Sequence, residues 1–163
     1  MKTLLIIRSA SMQQLDKNLV EIEKKFPGYE IHMLTHEHSV KLVEKYKSIK
    51  KVYVYPYKEG FQARNKVAEL QGKAFDGILI PVTNITGAGF FNVLRFSLTL
   101  RAKQRFICNL VSDIWEVSPG RIRWMGIKNI LMSAVSLLCA GVVGIAVVLL
   151  LPWKLKKLER KGE

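Results

Sequence analysis

Cysteine is scarce in this chain: 163 residues hold two, Cys108 and Cys139. A disulfide framework needs more, and Cys139 lies inside an apolar run where pairing with Cys108 is geometrically disfavoured. Such scarcity fits a reducing compartment. No secretory leader is expected, because only residues 3–7 separate Met1-Lys2 from Arg8, too short for the apolar core of a signal peptide. The N-terminal part is therefore expected to stay in the cytoplasm. Acidic residues number 13 against 26 lysines and arginines, a balance that suits an anionic partner. No nucleic-acid recognition motif accompanies the positive charge, so the expected partners do not include nucleic acid.

Metal-binding and phosphate-binding signatures are thin. His32, Thr35, His36, Glu37 and His38 are close in sequence, but they run from a strand pattern into a loop, and neither cysteine is near to complete a set of converging ligands. They read as a polar loop at the carboxyl end of a strand, where open α/β sheets hold ligands. Gly87-x-Gly89 is too short for a phosphate loop and reads as a turn. No Ser-His-Asp or Cys-His arrangement stands out. No metal and no cofactor are expected.

What the chain does have is a long apolar run. Residues 129–153 are 25 consecutive positions without a charge. As a helix they reach about 37 Å, against a hydrocarbon core of about 30 Å. A single-pass transmembrane helix is expected there, followed by a basic tail over 154–163. Arg121, Arg123, Trp124 and Lys128 before it, and Trp153 and Lys154 after it, are assigned to the membrane surface, with Arg95, Arg101 and Arg105 further upstream. Residues 110–128 read as an interfacial connector. Ser136, Ala140 and Gly144 recur every four positions, with Gly141 beside them. They read either as a packing face for a membrane-protein partner or homodimer, or as incidental small residues.

The first hundred residues alternate strand and helix patterns. Residues 3–7 (TLLII) are continuously apolar, as in a strand buried on both faces. Met12, Leu15, Leu19, Ile22 and Phe26 then fall on one helical face, closed by Pro27-Gly28. Strand patterns follow at 30–35, 51–55, 74–82 and 104–109, with helices at 38–48, 60–71 and 90–102. The last of these is apolar almost all round. It reads either as a buried helix or as an interfacial one with phenylalanines in the acyl boundary. The alternation predicts an α/β fold, a single Rossmann-like open parallel sheet covered by helices over 1–109, plus one C-terminal transmembrane helix.

Several strings in this order resemble one family. Residues 2–8 (KTLLIIR), Ser9–Ser11, Lys24-Lys25-Phe26-Pro27-Gly28, 49–55 (IKKVYVY), Gly60-Phe61 and 75–80 (FDGILI) are similar to the N-terminal half of the heptosyltransferases. These are family-nine glycosyltransferases of the two-domain GT-B type that act on lipopolysaccharide core. The resemblance covers about residues 1–110 and implies an acceptor-binding domain. Arg8, Ser9, Ser11, Thr83 and Asn84 are the residues it points to for an anionic, lipid-linked glycan acceptor. Two departures qualify it. Where the family carries a glycine-aspartate pair, whose carboxylate is its general base, this chain has Gln13-Gln14, and a glutamine amide cannot take up a proton at neutral pH. Asp16, two residues further, falls inside the helix pattern. The family's nucleotide-sugar domain has no counterpart after residue 110.

The expectation is therefore a protein of the inner (cytoplasmic) membrane with its N-terminal domain in the cytoplasm. It would be the acceptor-side or accessory subunit of a glycosyltransferase in cell-surface glycan assembly, with no catalytic residue of its own to name. The alternative is a non-catalytic scaffold or regulatory subunit that binds an integral-membrane enzyme or transporter through its helix.

Overall fold

A computed structural model describes residues 2–159, with side-chain surroundings given for most positions up to 148. The chain forms two compact units, 1–123 and 124–163.

The first unit is built on a six-stranded sheet. Its strands are β1 (Lys2–Ile7), β2 (Tyr29–His36), β3 (Ile49–Tyr55), β4 (Ala74–Pro81), β5 (Arg101–Cys108) and β6 (Ile114–Glu116), in the order β3-β2-β1-β4-β5-β6. The first five are parallel, and β6 pairs antiparallel with β5. The expected parallel sheet is thus present with one antiparallel edge strand added. Central β1 is apolar from Leu4 to Ile7 because it is covered on both faces there: these four residues have no exposed surface.

Side chains alternate across the sheet. On one face Leu4, Ile6, Ile31, Met33, Leu79 and Phe106 pack with Leu15, Leu19, Ile22 and Phe26, from and just after α1 (Met12–Lys25). The expected helical face is therefore the core-facing one. On the other face Tyr55 meets Phe96 edge-on at 5.7 Å, from α3 (Phe91–Ser97). The β1–β2 and β4–β5 connections run in opposite directions along the sheet, and with the same right-handed crossover they place their helices on opposite faces.

Four expectations need correction. The segment after β2 is a 3-10 turn, Glu37–Ser39, followed by the single-turn helix α2 (Val40–Val43). Residues 60–71 form a loop whose only helical part is a 3-10 turn at Ala68–Leu70. The loop is tied internally: the Tyr55 hydroxyl donates to the Gly60 carbonyl and accepts from Asn65 Nδ2 at 2.7 Å and from Gln62 N at 3.2 Å. The third helix pattern is shorter than 90–102, because β5 already begins at Arg101 to pair with Ala74. Val93, Leu94 and Phe96 are buried there, which selects the buried reading over the interfacial one. Finally, much of the expected connector belongs to the domain: β6 extends the sheet, and Val117 and Ile122 are buried.

Helix α4 (Pro119–Glu159) starts ten residues before the uncharged run. Within it, Pro119–Gly141 is long and apolar enough to cross a membrane. Ile130, Leu131, Leu137, Leu138, Val143 and Val148 are all more than 60% exposed. A helix apolar all round finds no solvent-facing side in water. Each such side chain would gain roughly 1.5–3 kcal/mol on full burial, a burial that a bilayer would supply. Ser136, Ala140, Gly141 and Gly144 are likewise exposed on α4.

Candidate functional site

Strand order reverses at β1: its chain partner β2 lies on one side and β4 on the other. The loops leaving β1 and β4 therefore diverge, and a crevice opens at the carboxyl ends of these strands. A cleft of about 520 Å³ occupies this place, lined by Arg8, Ser9, His36, His38, Lys58, Phe61, Gln62, Gly89 and Asn92, among others.

Arg8 is the best-held charge in the cleft. Its Nε donates to Thr35 Oγ1 at 2.7 Å, its Nη2 to Ser39 Oγ at 2.8 Å, and its Nη1 to the Ala10 carbonyl at 3.2 Å. Thr35 and Ser39 are buried, so the guanidinium is aimed by a rigid frame. Burial pulls its pKa below the ordinary arginine value, yet an arginine stays charged throughout the physiological range. All three partners are neutral, and among the described ion pairs none includes Arg8. Of its five N–H donors, two remain for a ligand.

Ser9 Oγ donates to the Pro81 carbonyl, stitching the end of β1 to the end of β4. His36 and His38 stack with ring centroids 5.7 Å apart, and His36 also packs on Phe61 at 5.0 Å. Lys58 adds a further exposed cation. The lining contains no carboxylate, so the side chains able to accept a proton are the two imidazoles.

The other residues expected at the site lie elsewhere or serve the framework. Ser11 caps α1, its hydroxyl accepting from Gln14 N at 3.3 Å. Asn84 closes its own loop, with Oδ1 accepting from Gly87 N and Nδ2 donating to the Ala88 carbonyl. Thr83 is exposed beside it. None of the three lines the cleft. Gly87 and Gly89 both have positive φ, 77° and 84°, which makes the expected turn a left-handed one that favours glycine.

Gln14 is turned away from the cleft. Gln14 is buried, and its Nε2 donates to Asn18 Oδ1 at 2.7 Å and to the Leu110 carbonyl at 3.0 Å. Asp16 accepts from the Tyr46 hydroxyl. Desolvation first, then that bond, pushes the Tyr46 phenol up to about 12.

The histidines do not converge. His32 is buried in mid-sheet, with Nε2 2.7 Å from Glu30 Oε1 and Nδ1 3.3 Å from the Tyr53 hydroxyl. Four residues of strand separate it from His36 by roughly 13 Å.

Among the basic residues assigned to the membrane surface, Arg105 must be withdrawn. It is 6% exposed, and its guanidinium donates to the carbonyls of Ser97, Leu100 and Ala102. There it ties the end of α3 to the start of β5. Arg95, Arg101, Arg121, Arg123, Trp124 and Lys128 are exposed; the side chains of Trp153 and Lys154 lie outside the described residues.

Sequence reasoning missed Ser39, Lys58 and Asn92. Each follows the carboxyl end of a strand, β2, β3 or β4, and that position was their only signal. No family model, no curated protein and no solved structure matches this chain.

Proposed function

We propose that this chain is a membrane-tethered, acceptor-side half of a two-part glycosyltransferase-like assembly, in which the cleft binds an anionic acceptor and a separate partner supplies the sugar donor. The observation that carries this reading is Arg8: a fixed guanidinium with neutral partners only, at the place where open α/β sheets take ligands. Lys58 beside it adds to the affinity for negative charge, and His36 and His38 offer ring N–H donors. With Gln14 buried against Leu110, the imidazoles of His36 and His38 are the candidates for any proton transfer.

The α/β unit and the apolar helix together fit work at the inner face of a cytoplasmic membrane, on a lipid-linked glycan such as a lipopolysaccharide precursor. Tethering raises the local concentration of domain and acceptor. The second reading, a non-catalytic scaffold that engages an integral-membrane enzyme through its helix, is favoured by one observation: the cleft lining has no carboxylate.

The test is purification from the native host in mild detergent, identification of what accompanies the chain, and assay of sugar transfer with and without it. The first reading expects transfer to fall at least tenfold in Arg8→Ala. Transfer unaffected by Arg8→Ala, but lost when residues 129–153 are exchanged for an unrelated apolar helix, would refute an acceptor site and leave the scaffold.

A further inference from the structure

Within residues 2–123 the exposed large apolar side chains are Val20, Leu42, Ile85, Leu110 and Val111. Three of the five stand on two neighbouring loops at the carboxyl ends of β4 and β5. Ile85 is 65% exposed, Leu110 46% and Val111 62%. Their loops are tied together, because Leu110 N donates to the Asn84 carbonyl at 3.3 Å and Asn109 Nδ2 to the Ile85 carbonyl at 3.4 Å.

The display is rigid. Asn109 is 2% exposed, and its Oδ1 accepts from Val111 N at 3.0 Å and Asp113 N at 2.8 Å. Gln14 holds the Leu110 carbonyl from below. Ser112 Oγ donates to buried Asn18, and Ser112 itself has φ 65°, a left-handed conformation that its neighbours must hold in place. Buried polar side chains thus fix a loop whose apolar residues face water, the reverse of what folding alone favours.

The same sheet edge carries the cleft with the cations Arg8 and Lys58. Apolar side chains beside cations match a bilayer surface, where acyl chains lie beneath anionic phosphates. The opposite edge is also basic, but several of its cations are engaged. Lys103 pairs with Asp76 at 2.7 Å, and Lys2 and Lys73 lie over the rings of Tyr29 and Tyr53. Among the described residues that edge has no exposed large apolar side chain.

We propose that the carboxyl edge of the sheet is the membrane-facing surface of the domain, with Ile85, Leu110 and Val111 entering the headgroup–acyl boundary and the cleft opening onto anionic headgroups. This rests on the reading of α4 as a bilayer anchor. It assigns to the cleft a ligand that arrives from the membrane, one bearing a lipid phosphate or an equivalent anionic headgroup.

The test is nitroxide accessibility in the full chain, reconstituted into vesicles of phosphatidylcholine and phosphatidylglycerol. In a Cys139→Ser background, single labels are placed at Ile85→Cys, Leu110→Cys, Val20→Cys and Lys50→Cys. All four positions are exposed, and buried Cys108 escapes labelling. A separate sample carries the label on native Cys139. Collisions with oxygen, which concentrates in lipid, are compared with collisions with a water-soluble nickel chelate. The expected oxygen-to-nickel ratio is several-fold higher at 85 and 110 than at 20 and 50. Aqueous ratios at 85 and 110 with a bilayer ratio at Cys139 overturn the proposal and leave the anchor standing, and a bilayer ratio at 50 instead would turn the domain over. Aqueous ratios at every position remove the anchor and the proposal together.

Discussion

Arg8 Nε donates to Thr35 Oγ1 at 2.7 Å, joining the ends of β1 and β2 across 27 positions of chain. The bond gives Arg8 two jobs, bracing the floor of the cleft and presenting charge to it. Removing the side chain strands the buried hydroxyls of Thr35 and Ser39. Arg8→Ala is therefore expected to destabilise the domain by roughly 1–3 kcal/mol, read by urea unfolding. In the same variant, inorganic phosphate should no longer raise the thermal midpoint. Arg8→Lys should keep part of the phosphate effect, since the charge remains but the fixed three-way fork does not.

Asp76 makes stability depend on acid. The Lys103 ammonium first, then the Thr3 amide, hold its carboxyl below the ordinary carboxylate range. A carboxyl depressed in the folded state contributes stability that is present above its unfolded pKa, near 4, and lost as pH falls through the folded value. Unfolding measured between pH 6 and pH 2.5 should show that loss. Asp76→Asn should lower stability at pH 6 and flatten the acid limb, and an unchanged slope would contradict the assignment.

Gly77 is a packing requirement in mid-sheet. A Cβ at this position would come 2.8 Å from Leu4 Cδ1 and 3.4 Å from Phe106 Cε2, with Leu4 fully buried. Gly77→Ala should cost roughly 1–3 kcal/mol through overpacking. Combined with Leu4→Val, which withdraws the crowding methyl, the loss should be smaller than the two single losses added. A double-mutant cycle in urea measures it.

An acid placed at position 14 should not act as a base. Gln14 Nε2 faces two acceptors, Asn18 Oδ1 and the Leu110 carbonyl. In Gln14→Glu a carboxylate would confront both without a donor, in a buried place. The expected cost is roughly 1–3 kcal/mol at neutral pH. It should shrink as pH falls, because burial raises the pKa of the folded carboxyl and the protonated form can donate again. No gain in sugar transfer is expected.

The two thiols should differ in reactivity. Burial first, then the charge of Asp113, pushes the Cys108 thiol up to about 12, and only the thiolate reacts quickly. Under native conditions in detergent at pH 8, a maleimide is expected to modify Cys139 and spare Cys108, with the second label appearing on unfolding. Mass spectrometry of the digested protein reads both sites.

The α/β class, the helical face of α1, the buried β1 and the apolar helix were legible in the sequence, because each follows from a local period: 3.6 residues for α1, continuous apolarity for β1, and sheer length for α4. Where stability came from distant pairing, local pattern misled. β6 is three residues long, with no period to read, and exists because β5 offers a free edge. The 60–71 segment has a helical look, but Tyr55, ten positions before Asn65, takes its hydrogen bonds and holds it as a loop. Arg105 resembled any surface arginine until the fold brought the carbonyls of Ser97 and Leu100 to it.

The candidate site divides in the same way. The sequence by itself determined that Arg8 and Ser9 follow a buried strand, and so stand at a carboxyl edge. Only the tertiary structure decided that Thr35 and Ser39 aim the guanidinium, that His36 and His38 stand beside it, and that Gln14 faces inward. Local patterns encode burial and period, whereas the direction of a polar side chain depends on which donors and acceptors the fold brings within 3 Å of it.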